Sequence, residues 1–511
     1  MDFIIFTTIS FILLVLYKYL IYPALLSPLK NLPSAHPTTH FSNLWIRYQR
    51  FINNSNHAIQ SAHERFGPIV RLGATEVSVN NVDALRIVYG GNWDRDDWYR
   101  SFSNYGHLNM FSMIGKKEHT ERKRMFGNVY SKTTLYSSKD FGIIAQTLSS
   151  RLSAVLEDAA KKREGVEVQG LLSCVTNDFI SAYIFGLDNI KDFLRDMEAR
   201  TKWLEDGHEL KQGVWSSTIT RIGEILTKNG IIRGTRREEQ DECLQMLNGL
   251  EKSKHNKKDS ISKDENSERT KPIIYNQLLH HLFPHHHKDA SLSLSPQDRL
   301  LLASEFKDHL IAGTETTTWT MTYILHSLSL RPDLQHRLRE ELLPLSSIHT
   351  NAISQSFLRT LDTLPLLNAT ILETLRLYPS VPGSQLRVSP PNSTSTLCGY
   401  KIPPNTKVSA QAYSLHRTAA VFPSPEEWRP DRWLQATKEE REEMMRWFWG
   451  FGSGARGCIG KEFAMLELKI LVVVIYGRFE TRVVDCGGIK QGDGYSVGPK
   501  GRRILLEFKK M

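Results

Sequence analysis

The segment Phe451-Gly452-Ser453-Gly454-Ala455-Arg456-Gly457-Cys458-Ile459-Gly460 sets a single cysteine among glycines, with an arginine two residues before it. A thiolate ligates a metal only where the backbone bends closely around the sulfur, and glycine supplies the positive-φ conformations and close approach that such a bend requires. Backbone N–H groups aimed at the sulfur then tune its electron donation. Arg456 offers a permanently charged planar fork suited to a carboxylate, and Phe451 a hydrophobic shield. A buried structural cysteine in a glycine-rich turn is the alternative that these residues leave open.

A second group of candidates lies on one long helix. Ser295 suits the N-cap, Pro296 the first turn and Asp298 the positive end of the helix dipole. The pattern predicts a helix running to about Leu330, roughly 50 Å long. In its middle stands Ala312-Gly313-Thr314-Glu315-Thr316. Glycine in a helix interior costs about 1 kcal/mol relative to alanine, and threonine hydroxyls bond back to the preceding turn; together they are expected to open a local groove. Ala312 and Gly313 present a small face to a flat ligand, while Thr316 and Glu315 offer a hydroxyl and a carboxylate for passing protons. Asp308 and His309 lie one turn earlier, and one of them is expected to face the same space, the other reading being contact with neighbouring helices. Glu373 and Arg376 share a helix face before Pro379. With Arg432, in Trp428-Arg429-Pro430-Asp431-Arg432-Trp433, they predict one carboxylate held by two arginines in a buried structural network.

The elements that must position these groups are mostly helical, with short strand-like runs such as Ile69–Leu72 and Glu76–Val79, so the fold class is mainly α with a small β part. A chain of 511 residues can enclose a cofactor. Its five cysteines are odd in number, widely spaced and without a CxxC pair, which excludes a disulfide framework and points to a reducing compartment. The formal charge of +10 is scattered and has no aromatic-interleaved basic module, which excludes nucleic acid and fits an anionic membrane surface or an acidic protein partner. Phe3–Leu26 is long enough to span a bilayer, which takes about 20 residues. Asp2 stands where a cleaved signal would carry basic residues. Lys18, Lys30, Arg47 and Arg50 favour a cytosolic location for the remainder of the chain. The expected division is an anchor over 1–26, a proline-containing hinge over 27–34 and a body over 35–511. The polar stretch Glu251–Lys271 reads as a solvated insertion, and His285-His286-His287 as a surface loop lacking a metal-ligand geometry.

In this order the motifs resemble those of the cytochrome P-450 family, in particular the membrane-anchored eukaryotic type of fungal secondary metabolism. The likeness covers the proline hinge, A-G-x-E-T at 312–316, E-x-x-R at 373–376, P-x-R-W at 430–433 and the cysteine loop. It implies a helix-rich fold with haem b between the long helix and the loop, and Cys458 as axial iron ligand. Phe451, Arg456, Arg387, Ala312 and Gly313 would border the haem, and Thr316 and Glu315 would deliver protons. The resemblance further implies a monooxygenase of the endoplasmic reticulum membrane, single-pass, with its catalytic domain cytosolic. Such an enzyme takes electrons from NADPH through an NADPH-cytochrome reductase and inserts one atom of O2 into a lipophilic small molecule. Arg122, Lys123, Arg124 and Lys461 are candidates for meeting an acidic reductase face. A haem-thiolate isomerase or dehydratase working without O2, and a non-catalytic haem-binding protein, are the rival readings; Thr316 argues against the first. One departure stands out: where the family offers W-x-x-x-R to a propionate, this chain reads His119-Thr120-Glu121-Arg122-Lys123-Arg124, which leaves His119 and Arg124 as candidates. Pocket walls are expected from the aromatic run Trp98–Phe111, from about Trp203 to Thr218, and from Val381 to Leu386.

Overall fold

The structure, a computed structural model, describes residues 2–91, 93–210, 241–256, 270–288, 294–345, 353–501 and 503–511. Part of the expected pocket wall, 211–218, and most of the polar stretch 251–271 therefore lie outside the described residues.

Helix α1 (Asp2–Leu16) runs on into a more widely wound segment, Tyr17–Leu26, that contains Pro23. Together they make the one helix among the described residues that is long and apolar enough to cross a membrane, Phe3–Leu26; its most apolar 18 residues have mean hydropathy 2.2 and none is buried, whereas Pro23 near its end is buried against the body. Helices α2 (Leu44–Phe51) and α3 (Ser55–Phe66) then pack on β1 (Ile69–Gly73). A five-stranded sheet has the order β1, β2 (Glu76–Val79), β8 (Lys407–Ser409), β5 (Arg387–Val388), β3 (Asp94–Arg95). Its last pair is antiparallel and sets Arg95 directly opposite Arg387. A smaller sheet joins β4 (Val166–Glu167), β10 (Leu505–Lys510) and β9 (Phe479–Asp485), and a hairpin pairs β6 (Ser395–Leu397) with β7 (Tyr400–Ile402).

The helical core gathers α4 (Lys116–Phe126), α5 (Val168–Phe185), α6 (Pro296–Ser329), α7 (Pro365–Leu377), α8 (Asp431–Gln435) and α9 (Lys461–Tyr476). Helix α6 has the expected start: Asp298 N–H donates to Ser295 Oγ at 3.2 Å, Pro296 occupies the first turn, and the helix closes at Leu330 after 34 residues. Its closest companion is α5, which is buried along almost its whole length. Gly313 explains their close approach. A Cβ there would stand 2.8 Å from Ile180 Cγ1 of α5, so the neighbouring helix requires a residue without a side chain at this position. Thr176 Oγ1 adds polar ties to Thr314 O (3.2 Å) and Thr318 Oγ1 (2.8 Å).

Candidate active site

The cysteine loop lies between α8 and α9 and is shaped by its glycines. Cys458 N–H donates to Phe451 O at 2.9 Å and Gly457 N–H to Gly454 O at 3.0 Å. Gly454 has φ +67°, and a Cβ there would stand 2.0 Å from Tyr89 O, so no other residue fits this turn. Lys123 of α4 closes the loop from outside, donating its Nζ to Ala455 O (2.9 Å) and Gly457 O (2.6 Å). The Cys458 side chain is accessible although protein surrounds it deeply, so its open face looks onto interior space. Burial raises the thiol's pKa, while the Gly460 N–H, Lys123 and Lys461 work to lower it. Cys458 and Phe451 also border a cleft of about 570 Å³ lined by Lys132, Asp362, Lys461, Glu462 and Lys469. No α6 residue lines this cleft.

Beside the loop, three arginines converge on His119. Arg456 is held by the carbonyls of Met113, Ile114 and Gly115. Arg95, buried on β3, donates to Phe111 O and lies against the rings of Tyr99 (4.4 Å) and Phe111 (4.5 Å), while its Nε has no partner. Arg387 donates to Leu386 O and packs on Tyr89. No ion pair among the described residues neutralises any of the three. Burial, then Arg95 and Arg387, press Arg456 down to about 9. Burial followed by Arg456, Arg95, Lys123 and Arg387 holds His119 down at about 2, so the ring is neutral, and its buried Nδ1 is unpartnered. Like charges directly opposite in a sheet repel, so Arg95 facing Arg387 is a disposition that calls for an anion between them.

The opposite wall is a stripe of α6. Asp308, Ile311, Ala312, Glu315 and Thr316 follow at helical spacing, and Ile311 is 47 % exposed in the middle of a helix that crosses the core. Thr316 Oγ1 donates to Ala312 O at 2.8 Å. Thr316 O accepts from Thr320 Oγ1 and from Ser380 Oγ, both at 2.9 Å, which ties this turn to the segment after α7. Burial raises the pKa of the Tyr130 phenol, with Tyr183, Cys458 and Asp308 adding to that shift.

The rotation of α6 decides between Asp308 and His309. Asp308 turns to the interior space, against the Phe111 N–H, with Glu305 and Arg95 as its charged neighbours. His309 points into the helix packing, bonded to Tyr130 Oη at 2.6 Å and in contact with Phe126. Burial, then Glu305, push Asp308 up to about 8 against the pull of Arg95. An acid whose folded pKa lies above its unfolded value stabilises the fold at low pH and loses that contribution as pH rises through the folded pKa. Asp308→Asn is therefore expected to melt higher than the parent at pH 8.5, with the gap narrowing steadily toward pH 5. Thermal unfolding across that range checks it; a gap independent of pH removes the assignment.

Residues 33–500 match the sequence profile of the family described as cytochrome P-450. The chain belongs to the cytochrome P-450 family. It is 26 % identical over 502 residues to the cytochrome P-450 monooxygenase orf2 of Aspergillus niger, covering 96 % of this chain and 95 % of that protein. To the cytochrome P-450 monooxygenase FGM1 of Gibberella zeae it is 28 % identical, with 98 % of this chain and 94 % of the other covered. The corresponding figures for the monooxygenase cypX of Dothistroma septosporum are 27 %, 88 % and 84 %. This P-450 is thus an oxidoreductase of the monooxygenase class, and its family's cofactor is a haem with a cysteine thiolate ligand.

The residues present fit that group. An uncompensated trio of arginines and an orphaned imidazole nitrogen suit two carboxylates at one edge of a ring, with a sulfur on one side and a stripe of α6 on the other. Arg95 was not marked by motif, whereas Lys123 stands at the arginine position of W-x-x-x-R. Arg124 is exposed and stays outside the cluster, because five residues from His119 place it about 140° round the helix; Lys123, four residues on, shares the face of His119. Arg122 also turns inward, its Nη1 2.6 Å from Glu305 Oε1, which leaves Arg124 and Lys461 as surface cations on this side. The expected aromatic wall closes largely on itself: Trp98, Tyr99, Phe102, Phe111 and Tyr495 form one packed cluster.

Proposed function

We propose that this P-450 holds haem b through Cys458 and inserts one oxygen atom from O2 into a lipophilic small molecule of fungal secondary metabolism. The observation that carries the reading is the set of three arginines without an ion-pair partner, Arg95 and Arg387 buried and Arg456 half-buried, gathered with His119 beside an accessible cysteine. Arg95, Arg387 and Arg456 would clamp the propionate carboxylates with charge-assisted bonds, and His119 would add one N–H. When bound, haem supplies the redox chemistry at iron, with thiolate donation favouring O–O cleavage.

The chain's own groups then manage protons, water and position. Thr316 has its O–H committed to Ala312 O, so its oxygen faces the interior as an acceptor and can hold a proton donor in register. Glu315, the adjacent half-buried carboxyl group, would relay protons from solvent. Ala312 leaves room for the ring, and Ile311 with the aromatic cluster keeps the space apolar. Electrons arrive from NADPH through a reductase, whose acidic face would meet Arg124 and Lys461. Residues 1–26 would hold the enzyme in the endoplasmic reticulum membrane through the 27–34 hinge, with the body, 35–511, on the cytosolic side.

The test is reconstitution with a reductase and a panel of terpenoid, polyketide and alkaloid candidates. Product carrying one labelled atom from O2, formed only with NADPH, reductase and O2 together, is the expected result; product formed without them overturns it. Thr316→Ala is expected to keep consuming NADPH while product falls and hydrogen peroxide rises. An unchanged ratio of product to NADPH removes the proton role from Thr316.

A further inference from the structure

Gln385 lies two residues before β5 and extends its pairing. The Gln385 N–H donates to Ala410 O at 2.9 Å, in the register that sets Arg387 opposite Val408. Residues two apart on an extended strand point to one face, so Gln385 shares the face of Arg387. Its carbonyl accepts from Tyr89 Oη at 2.5 Å, and Tyr89 Oη accepts from the Ala410 N–H at 2.7 Å. Tyr89 also borders the cysteine loop: its carbonyl stands against Gly454, and its ring packs on Trp449 at 4.7 Å between centroids. The backbone of Gln385 is thereby fixed relative to the loop.

The side chain is held at one end only. Gln385 Oε1 accepts from Tyr495 Oη (3.0 Å) and Tyr99 Oη (3.2 Å), whose residues are 4 % and 0 % exposed. Apart from a 3.4 Å contact with each other, the two hydroxyls have no other partner among the described residues. Turning the amide over would strand both phenolic hydrogens in the interior, so the oxygen faces the phenols and the nitrogen faces away. Tyr495 cannot drift from this position. Gly383 N–H donates to Tyr495 O (3.2 Å), Asn56 Nδ2 donates to Gly494 O (2.8 Å), and a Cβ on Gly383 would stand 2.5 Å from Gly494 O. Gln385 Nε2, by contrast, has no partner among the described residues and is not sealed from the space around it. Two phenols thus aim an idle N–H pair.

We propose that Gln385 determines specificity by donating its amide N–H to an acceptor oxygen of the substrate, which is accordingly an oxygenated lipophile carrying a carbonyl, hydroxyl or ether group. The inference rests on the haem site argued under Proposed function. With the oxygen held beside Arg387 and the apolar remainder lying along Ile311 and Ala312, one contact sets which carbons of the guest come closest to the ring. A hydrocarbon of the same shape would bury the N–H pair unpaired, which weakens binding by about tenfold to a hundredfold.

Haem-loaded full-length protein is titrated with nootkatone against valencene and with fluorenone against fluorene, and dissociation constants are read from the haem absorption band. Each pair differs by a carbonyl in place of a methylene. The parent is expected to bind the ketones about tenfold to a hundredfold more tightly than the hydrocarbons. Gln385→Glu keeps an acceptor for Tyr99 and Tyr495 but loses the N–H pair, and is expected to lose the preference while hydrocarbon affinity stays within a few-fold of the parent. Gln385→Met, which adds no charge, gives the same reading if the glutamate variant takes up no haem. Tyr99→Phe combined with Tyr495→Phe leaves the amide unaimed and is expected to shrink the preference with Gln385 still in place. A ketone preference that survives in the Gln385 variants overturns the proposal, as does a haem-loaded parent that binds both members of each pair alike or binds neither. A parent that takes up no haem overturns the reading under Proposed function and this inference with it.

Discussion

Replacing Cys458 by alanine is expected to abolish both product formation and the red-shifted absorption band of the reduced carbon monoxide complex, while the protein still folds. The two parts of this expectation have separate physical grounds. The loop around the sulfur is built by backbone: Cys458 N–H on Phe451 O, Gly457 N–H on Gly454 O, and the Gly454 turn against Tyr89. None of these uses the side chain. Lys123 likewise grips the loop through the carbonyls of Ala455 and Gly457. The sulfur is accessible and unbonded to any other cysteine, so its loss leaves no large core cavity. What disappears is the thiolate donor on which the family's chemistry depends. The measurement is a difference spectrum of the purified variant beside its thermal unfolding curve. A persistent red-shifted band means that another residue ligates the iron. A variant that fails to fold means that the sulfur carries packing energy that the loop geometry does not reveal.

The parts of the site that motif and spacing made legible are those in which one short segment holds all the geometry. The cysteine loop is such a segment, and so is the start of α6, where Ser295, Pro296 and Asp298 act within one turn of each other. Arg95 was invisible for the opposite reason. It reaches Arg387 only because β3 pairs with β5 across almost three hundred residues, and a two-residue strand leaves no periodic signal. Helix phase was the other gap. Asp308 and His309 are neighbours in sequence, as are Lys123 and Arg124, and a rotation of about 100° per residue sends each pair to different surroundings. That rotation is set by packing: Gly313 against Ile180 fixes α6 on α5, and Arg122 on Glu305 fixes α4 on α6. The phase of an interior helix is a property of its neighbours, and α6, buried on most of its circumference, carries no amphipathic stripe from which to read it.

Glu373→Ala is expected to be the most damaging substitution away from the sulfur, costing roughly 3–5 kcal/mol because it strands buried cations. Glu373, Arg376 and Arg432 have side chains that are 0 %, 0 % and 2 % exposed. Glu373 Oε1 accepts from Arg376 Nη2 (2.8 Å), Arg432 Nε (3.0 Å) and the Arg429 N–H (2.9 Å), and Oε2 accepts from Arg376 Nε (3.0 Å) and Trp433 Nε1 (2.9 Å). The arginines spend their remaining donors on the carbonyls of Pro423, Pro425, His416 and Glu427. The network reaches the cysteine loop through His416. Arg376 O can only accept from His416 Nδ1 (2.9 Å), and the Trp449 N–H can only donate to His416 Nε2 (2.7 Å), which fixes one neutral tautomer. Burial, which holds this ring down at about 3, keeps it neutral across the working pH range. Trp449 Nε1 then bonds Ser453 Oγ at 2.8 Å, inside the loop that carries Cys458. Removing Glu373 therefore unpairs two guanidiniums and loosens the path that holds the loop in register. Soluble, folded protein is expected to fall sharply, with the melting temperature of the remainder lowered by several degrees and its haem content reduced. Glu373→Asp, which keeps the charge one methylene short, is expected to fall between parent and alanine variant. A Glu373→Ala protein that matches the parent in yield, melting temperature and haem content would show that the carboxylate is dispensable and that backbone carbonyls alone suffice for both arginines.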